Sequence, residues 1–223
     1  MEEVMSAELV ENLVDFCENR ARVYALLSRC YEKELDTAFA AELAEAARVE
    51  SDDPALAEGF AALQADLAGC DDGQLELLAV VFDRVFFGMG PRSAQKAFPY
   101  ESVYTSAERL LMQRSRDEVL AAYRAQGFER SGDLNVPEDH AGIELAFMAR
   151  LCRKEADALA AGDEVGAEAA RETQRVFLRD HVLAWFPQLC ADLEKRAKRG
   201  LYRGLAETVR QFLAFEREEL GVG

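Results

Sequence analysis

The sequence predicts an all-α protein, and three observations carry that expectation. Ala, Leu, Glu and Arg, all strong helix formers, dominate the 223 residues. Apolar residues recur at helical spacing along most of the chain. No segment alternates polar and apolar residues for long enough to propose a strand, and no internal repeat is present. The expected architecture is one bundle-like domain of about nine helices over 1–223. Its N- and C-terminal helix sets are joined by a long loop near 88–99.

The elements follow in order. Leu9, Leu13, Phe16, Val23, Leu26, Leu27 and Tyr31 mark a first helix from Glu8 to Tyr31. Phe39–Val49 is a shorter second. Pro54 opens a third, preceded by the capping oxygens of Ser51, Asp52 and Asp53, and it runs to about Ala68. Gly69-Cys70-Asp71-Asp72-Gly73 breaks the pattern. Leu75–Phe87 is apolar enough to predict a deeply buried fourth helix. From Gly88 to Pro99 two glycines and two prolines interrupt any period, and loops of that length are often functional.

A fifth helix is expected from Ser102 to before Gly127, with Glu101 and Ser102 as its caps, and a loop from Gly127 to Val136 follows. Pro137 lacks an N–H and fits the first turn of a sixth helix, which runs to Ala161. Glu138 and Asp139 there would favour the positive end of the helix dipole. A seventh covers Glu164–Val182. An eighth covers Trp185–Arg199, with Pro187 in its first turn. Gly200 introduces the last, which ends near Leu220.

Composition bounds the function. Hydrophobic residues make up 50% and charged residues 30%, the balance of a globular protein without a membrane span. The acidic start Met1-Glu2-Glu3-Val4 is unlike a secretory signal, so the expected compartment is the cytoplasm. Cys17, Cys30, Cys70, Cys152 and Cys190 are scattered, with no Cys-x-x-Cys pair, and read as reduced, mostly buried thiols. The net charge of −16 is uneven: residues 1–90 hold 6 Lys/Arg against 20 Asp/Glu, residues 91–223 hold 20 against 22. Such a field repels nucleic acid and anionic membrane and attracts cationic partners. It also serves solubility.

Catalytic signatures are missing. The chain has no Gly-x-Ser-x-Gly, no Walker loop and no Gly-x-Gly-x-x-Gly. The two histidines, His140 and His181, each follow an aspartate, and a metal-dependent helical hydrolase can be built on them. Two histidines make a sparse ligand set, and no helical His-x-x-x-His pair is present. A DNA-binding regulator lacks a basic recognition stretch. His140 and Glu144 share a helix face next to an apolar stripe of Ile143, Phe147 and Leu151. Tyr100, Val103 and Tyr104 bring aromatic and apolar surface to a loop–helix junction, which either pins the loop to the core or offers a peptide contact.

Four motifs in order carry a resemblance. They are Arg20-Ala21-Arg22-Val23-Tyr24-Ala25-Leu26-Leu27-Ser28; Phe82-Asp83-Arg84-Val85-Phe86-Phe87-Gly88 leading to Pro99-Tyr100-Glu101-Ser102-Val103-Tyr104; Pro137-Glu138-Asp139-His140 with Glu144-Leu145-Ala146-Phe147-Met148; and Asp180-His181-Val182-Leu183-Ala184-Trp185-Phe186-Pro187. From about residue 20 to 215 the chain resembles the TorD/DmsD family of chaperones for molybdenum redox enzymes. One departure is visible: Val136 stands where the family has an acid.

The resemblance implies a cytoplasmic all-helical chaperone, not an enzyme, with no cofactor of its own. Its partners would be the twin-arginine signal peptide and the apo form of a molybdopterin oxidoreductase, with no nucleic acid and no stable membrane association. It would be a monomer or a domain-swapped dimer. A relative that matures a respiratory reductase lacking an export signal, in the manner of NarJ, is the alternative. The residues carried over are Tyr24, Phe86, Pro99, Ser102, Tyr104, Pro137, Asp139 and His140. Glu138, Ile143 and Phe147 join them as the rim and walls of an expected apolar groove with an acidic edge, into which Phe86 and Tyr104 would also face.

Overall fold

The structure, a computed structural model, describes residues 7–46, 54–68, 70–87, 97–129, 135–197 and 200–223. Its helices are α1 (Ala7–Glu32), α2 (Thr37–Ala46), α3 (Pro54–Leu67), α4 (Asp72–Phe82), α5 (Glu101–Thr105), α6 (Arg114–Ala125), α7 (Ala141–Ala160), α8 (Glu164–Phe177), α9 (Leu183–Arg196) and α10 (Leu201–Glu219). Two π-helical turns extend them, Asp83–Phe87 after α4 and Leu178–Val182 between α8 and α9. The protein is all-α, as the sequence predicts.

The longest helices make the frame. On α1, Tyr24, Leu27 and Tyr31 are buried at a spacing of three and four, and each such side chain contributes roughly 1.5–3 kcal/mol by leaving water. That face packs on α7. The two run antiparallel, since Arg20 meets Glu155 and Ser28 meets Gly142. Gly142 permits the approach, because a Cβ there would lie 2.7 Å from Glu32 Cγ and 3.1 Å from the Ser28 carbonyl oxygen. α8 covers α7, while α10 packs on α3 and α9. One apolar core draws side chains from Ala21 to Val222, with Trp185, Tyr202, Phe86, Phe147 and Phe212 all sealed inside.

A buried ion pair ties this frame together. Arg20 lies on the core face of α1 and is 2% exposed. Its Nε and Nη2 each reach a Glu216 oxygen at 2.7 Å. Nη2 also meets Gln174 Oε1 at 2.8 Å, and Nη1 meets Glu155 Oε2 at 3.4 Å. Tyr24 donates its hydroxyl to Glu216 at 2.9 Å. A guanidinium buried this deeply persists only because its donors find acceptors from α7, α8 and α10.

Several expectations change. The fourth segment is buried on one face only: Leu75, Phe82, Val85 and Phe86 point in, while Leu77, Val80 and Phe87 are 68%, 63% and 49% exposed. Its N-terminus is set by Asp71, whose carboxylate takes the Gln74 N–H while the Gln74 side chain returns to the Asp71 N–H. Residues Asp72 and Gly73 are therefore already helical rather than part of a break.

The expected fifth helix is two helices, α5 and α6. Ser102 Oγ accepts the Gln113 N–H at 3.0 Å, which draws the chain back after one turn of helix. The intervening strap carries left-handed Arg109 (φ 54°) and Met112 (φ 58°), which no helix tolerates. The expected seventh and eighth helices, by contrast, run into one another through the Leu178–Val182 π turn. Pro187 accordingly lies inside α9 rather than in a first turn. Its missing N–H falls opposite Leu183, at the junction where the π turn has already widened the helix.

The loop at 88–99, the caps expected at Ser51, Asp52 and Asp53, the end of the second helix beyond Ala46 and Lys198–Arg199 lie wholly or partly outside the described residues. Cys17, Cys30, Cys152 and Cys190 are buried, Cys70 is half-buried, and all five are free thiols. Burial pushes the Cys17, Cys30 and Cys190 thiols up to about 12, far from the thiolate form that reacts. No helix of the described residues is long and apolar enough to cross a membrane.

Candidate functional site

The four motifs meet at one place. The chain at Pro99–Glu101 runs extended beside the chain at Asp139–Ala141, and the two form an antiparallel bridge at Tyr100 and His140. The Glu101 N–H donates to the Asp139 carbonyl at 2.9 Å, and the Ala141 N–H donates to the Pro99 carbonyl at 2.8 Å. This pairing explains why α7 begins at Ala141 and not at Pro137. Residues 137–139 are spent reaching the bridge, and His140 becomes the N-cap, its Nδ1 accepting the Gly142 N–H at 3.1 Å.

Asp139 is consequently not in the first turn of α7. Its Oδ2 accepts the Ser102 N–H at 2.8 Å and caps α5 from across the bridge. The expected local caps at Glu101 and Ser102 are absent, since both residues already lie within α5. Glu138 accepts from Arg116 Nε at 2.6 Å, and its carbonyl accepts the Tyr123 hydroxyl at 3.2 Å. The motif charges are thus partly consumed within the chain.

Beneath the bridge lies a set of buried carboxyls. Glu101, Asp139 and Glu144 are 2%, 0% and 0% exposed. His181, from the fourth motif, faces Glu101 with Nδ1 at 3.1 and 3.3 Å from its two oxygens. Trp185 donates its indole N–H to Glu144 Oε2 at 3.0 Å. Asp139 Oδ1 has no hydrogen-bond partner, while the Glu144 carboxyl lies in hydrogen-bonding reach of Glu101. Burial, and then the negative Glu101 alongside, push the Glu144 carboxyl well above the usual carboxylate range. Glu144 therefore holds a proton that an exposed glutamate would lose. Ser28 of the first motif closes the node by donating to the Gly142 carbonyl at 2.7 Å.

The eleven candidate residues fall into two groups. Tyr24, Phe86, Pro99, Ser102, Asp139, His140, Ile143 and Phe147 are buried. Phe86 sits among Tyr31, Phe82 and Tyr202, and Phe147 among Tyr123, Phe128 and Phe177, so neither walls an open groove. Tyr24 belongs to the Arg20 cluster rather than to the node. Tyr104, Pro137 and Glu138 are half-buried at the node's surface. Tyr104 stacks on Trp185 with centroids 5.5 Å apart, and its hydroxyl lies 3.5 Å from Asp192. Beside the node a cleft of about 510 Å³ opens between Ile143, Ala146, Phe128, Glu32 and Arg150.

Sequence reasoning missed Glu101, Glu144, His181 and Trp185 as partners, and Arg20 with Glu216. The signals were present: Glu144 interrupts an apolar run, and Arg20 falls four residues before Tyr24 on the core face of α1. Also missed is the strap joining α5 to α6, where Leu110, Leu111 and Met112 are 57%, 42% and 59% exposed. Among the described residues no group of three or more His, Cys, Asp or Glu is arranged to hold a metal ion. The hydrolase alternative built on His140 and His181 finds no ligand set there.

Comparison with known proteins fits this geometry. Residues 49–191 match the family described as nitrate reductase delta subunit. The chain is 28% identical to the chaperone protein TorD of Aliivibrio fischeri over 93% of its own length and 97% of that protein's. It is 29% identical to TorD of Vibrio cholerae over 92% and 93%, and 31% identical to TorD of Photobacterium profundum over 59% and 58%. These relatives are named as chaperones, not as enzymes.

Proposed function

This chain belongs to the nitrate reductase delta subunit family, within which its relatives are TorD chaperones, and from that premise we propose that it matures a molybdopterin oxidoreductase. In this reading the chain, acting as one unit over 1–223, works in the cytoplasm. It binds the twin-arginine signal peptide of the apo enzyme and releases it for export after cofactor insertion. The observation that carries the reading is the TorD match over more than nine-tenths of both chains. The meeting of all four motifs at one node supports it.

The eleven motif residues serve this binding by two routes. Tyr104, Pro137 and Glu138 stand at the surface and are available for contact. Tyr24, Phe86, Pro99, Ser102, Asp139, His140, Ile143 and Phe147 act from within, by holding the bridge, the α5 cap and the core beneath them. Energetics require more than charge. Micromolar binding corresponds to about −8 kcal/mol, whereas an exposed ion pair supplies only about 0.2–1 kcal/mol. The apolar stretch behind the paired arginines must bury side chains, at about 0.8 kcal/mol per methylene.

The description of the matched family favours a second reading, in which the client is a reductase without an export signal and offers another tail. Calorimetric titration separates them. The first reading expects micromolar binding of a synthetic twin-arginine leader from a molybdoenzyme of the same genome, weakened when both arginines become alanine. Binding of a tail without paired arginines, and not of the leader, supports the second. Binding of neither overturns both.

A further inference from the structure

The fold leaves a helix face uncovered. Leu75, Phe82, Val85 and Phe86 hold α4 and its π turn to the core, while Leu77, Val80 and Phe87 lie largely in water. Apolar side chains grouped in this way mark a contact surface, because covering them is favourable. Two charges lie in the same stripe. Glu76 and Arg84 are exposed, and neither has an ion-pair partner among the described residues. They stand two turns apart, about 12 Å along the helix, too far to pair with each other.

The stripe is symmetric about Val80. Glu76 and Arg84 lie four residues to either side of it, and Gly73 and Phe87 seven. When two α4 helices pack antiparallel about a two-fold axis at Val80, positions equally distant from that residue face one another. Glu76 then meets the partner's Arg84, and the symmetry makes this pair twice. The partner's Phe87 comes toward Gly73, where a Cβ would meet only Asp71 Oδ1, at 3.4 Å. Val80 meets its own counterpart, with Leu77 beside it. The face is complementary to itself, as an isologous interface requires. Other occupants fit less well. A basic apolar segment would set its charge against Arg84, and an acidic one against Glu76. A second copy of the same face opposes neither.

We propose that two copies of this chain associate through α4, antiparallel about a two-fold axis at Val80, with Glu76 paired to the partner's Arg84. No helix is exchanged between the copies. One helix face is small beside the roughly 1,200–2,000 Å² of a stable interface, so the dimer is weak and forms as concentration rises. Each copy carries a net charge of −16, and that repulsion opposes association. Physiological salt limits the range of the repulsion to about 8 Å and leaves pairs in contact intact.

The test is sedimentation equilibrium of the full chain at physiological salt, from low micromolar to millimolar concentration. The expected result is a mass that climbs from monomer to dimer. Val80→Glu, at an exposed position that the fold tolerates, should leave only monomer. Glu76→Arg and Arg84→Glu should each weaken association about tenfold, since each turns two attractions into two repulsions. Mixing these two variants should bring association back to within about threefold of the unaltered chain, because opposite charges then face one another again. A chain that stays monomeric at millimolar concentration overturns the proposal. A dimer that Val80→Glu leaves intact, as one formed by helix exchange elsewhere would be, overturns it as well.

Discussion

The molecule buries two polar clusters, and they solve the same problem differently. Around Arg20, carboxylates and guanidinium are matched: Glu216 and Glu155 face Arg20, Gln174 fills a remaining site, and Tyr24 donates from the side. At the motif node, Glu101, Asp139 and Glu144 gather with His181, Trp185 and the Ser102 N–H to face them, and Asp139 Oδ1 goes without a partner. Matched charge gives a rigid anchor in which the guanidinium donors and carboxylate acceptors satisfy one another. Glu144, buried beside Glu101, favours its protonated form, and the fold around it is most stable while it keeps that proton. The anchor ties α1 to α7, α8 and α10, whereas the node fixes the bridge, α5 and the strap.

The largest expected effect breaks the anchor. Arg20→Ala leaves Glu216 buried without its cation and should cost about 3–5 kcal/mol in urea denaturation. Arg20→Met combined with Glu216→Leu should cost less than the single change, because no charge is then stranded. A double variant as damaged as the single would refute the matched-pair account.

Next comes the cap that joins the motifs. Asp139→Ala removes the acceptor of the Ser102 N–H and should destabilise by about 1–2 kcal/mol. Asp139→Asn, which keeps an acceptor oxygen, should cost less. Equal losses would mean that the charge, not the cap, is what matters there.

A smaller, pH-dependent effect sharpens the contrast. Glu144 has its folded pKa raised above the ordinary 4.5, chiefly by burial. Its contribution to stability is therefore full below that value and is lost as pH rises toward the folded pKa. Glu144→Gln keeps an acceptor for Trp185 and never ionises. Relative to wild type it should gain stability steadily from about pH 4.5 to neutral, measured as a widening difference in Tm. A gap that does not change with pH would show that the node carries no such proton. The smallest effect is Tyr104→Phe, which loses only a 3.5 Å contact to Asp192 and should stay within about 0.5 kcal/mol.

These clusters also show where the sequence is legible. Helical period revealed the class and the longest helices, because α1 and α10 each bury one continuous face, while α7 is enclosed on all sides along its first half. Local propensity misread the places where distant backbone intervenes. Pro137-Glu138-Asp139 looks like a helix start until the bridge to Pro99–Glu101 claims it. Residues 106–113 look helical until Ser102 draws Gln113 back. The motifs located the node, since residues far apart in sequence meet there. They did not reveal that eight of the eleven candidate side chains are interior, nor the Arg20 cluster, because burial of a charge depends on partners 135 to 196 residues away.

The central proposal is that the surface of the motif node, at Tyr104, Pro137 and Glu138, meets the client while the buried motif residues hold that surface in place. Amide hydrogen exchange of the intact chain, with and without a saturating twin-arginine leader, tests it most directly. The account predicts new protection at 97–105 and 137–147, with little change in the first three turns of α1 and in the opening turns of α8. Protection confined to the α8 end, with the node segments unaltered, would contradict it.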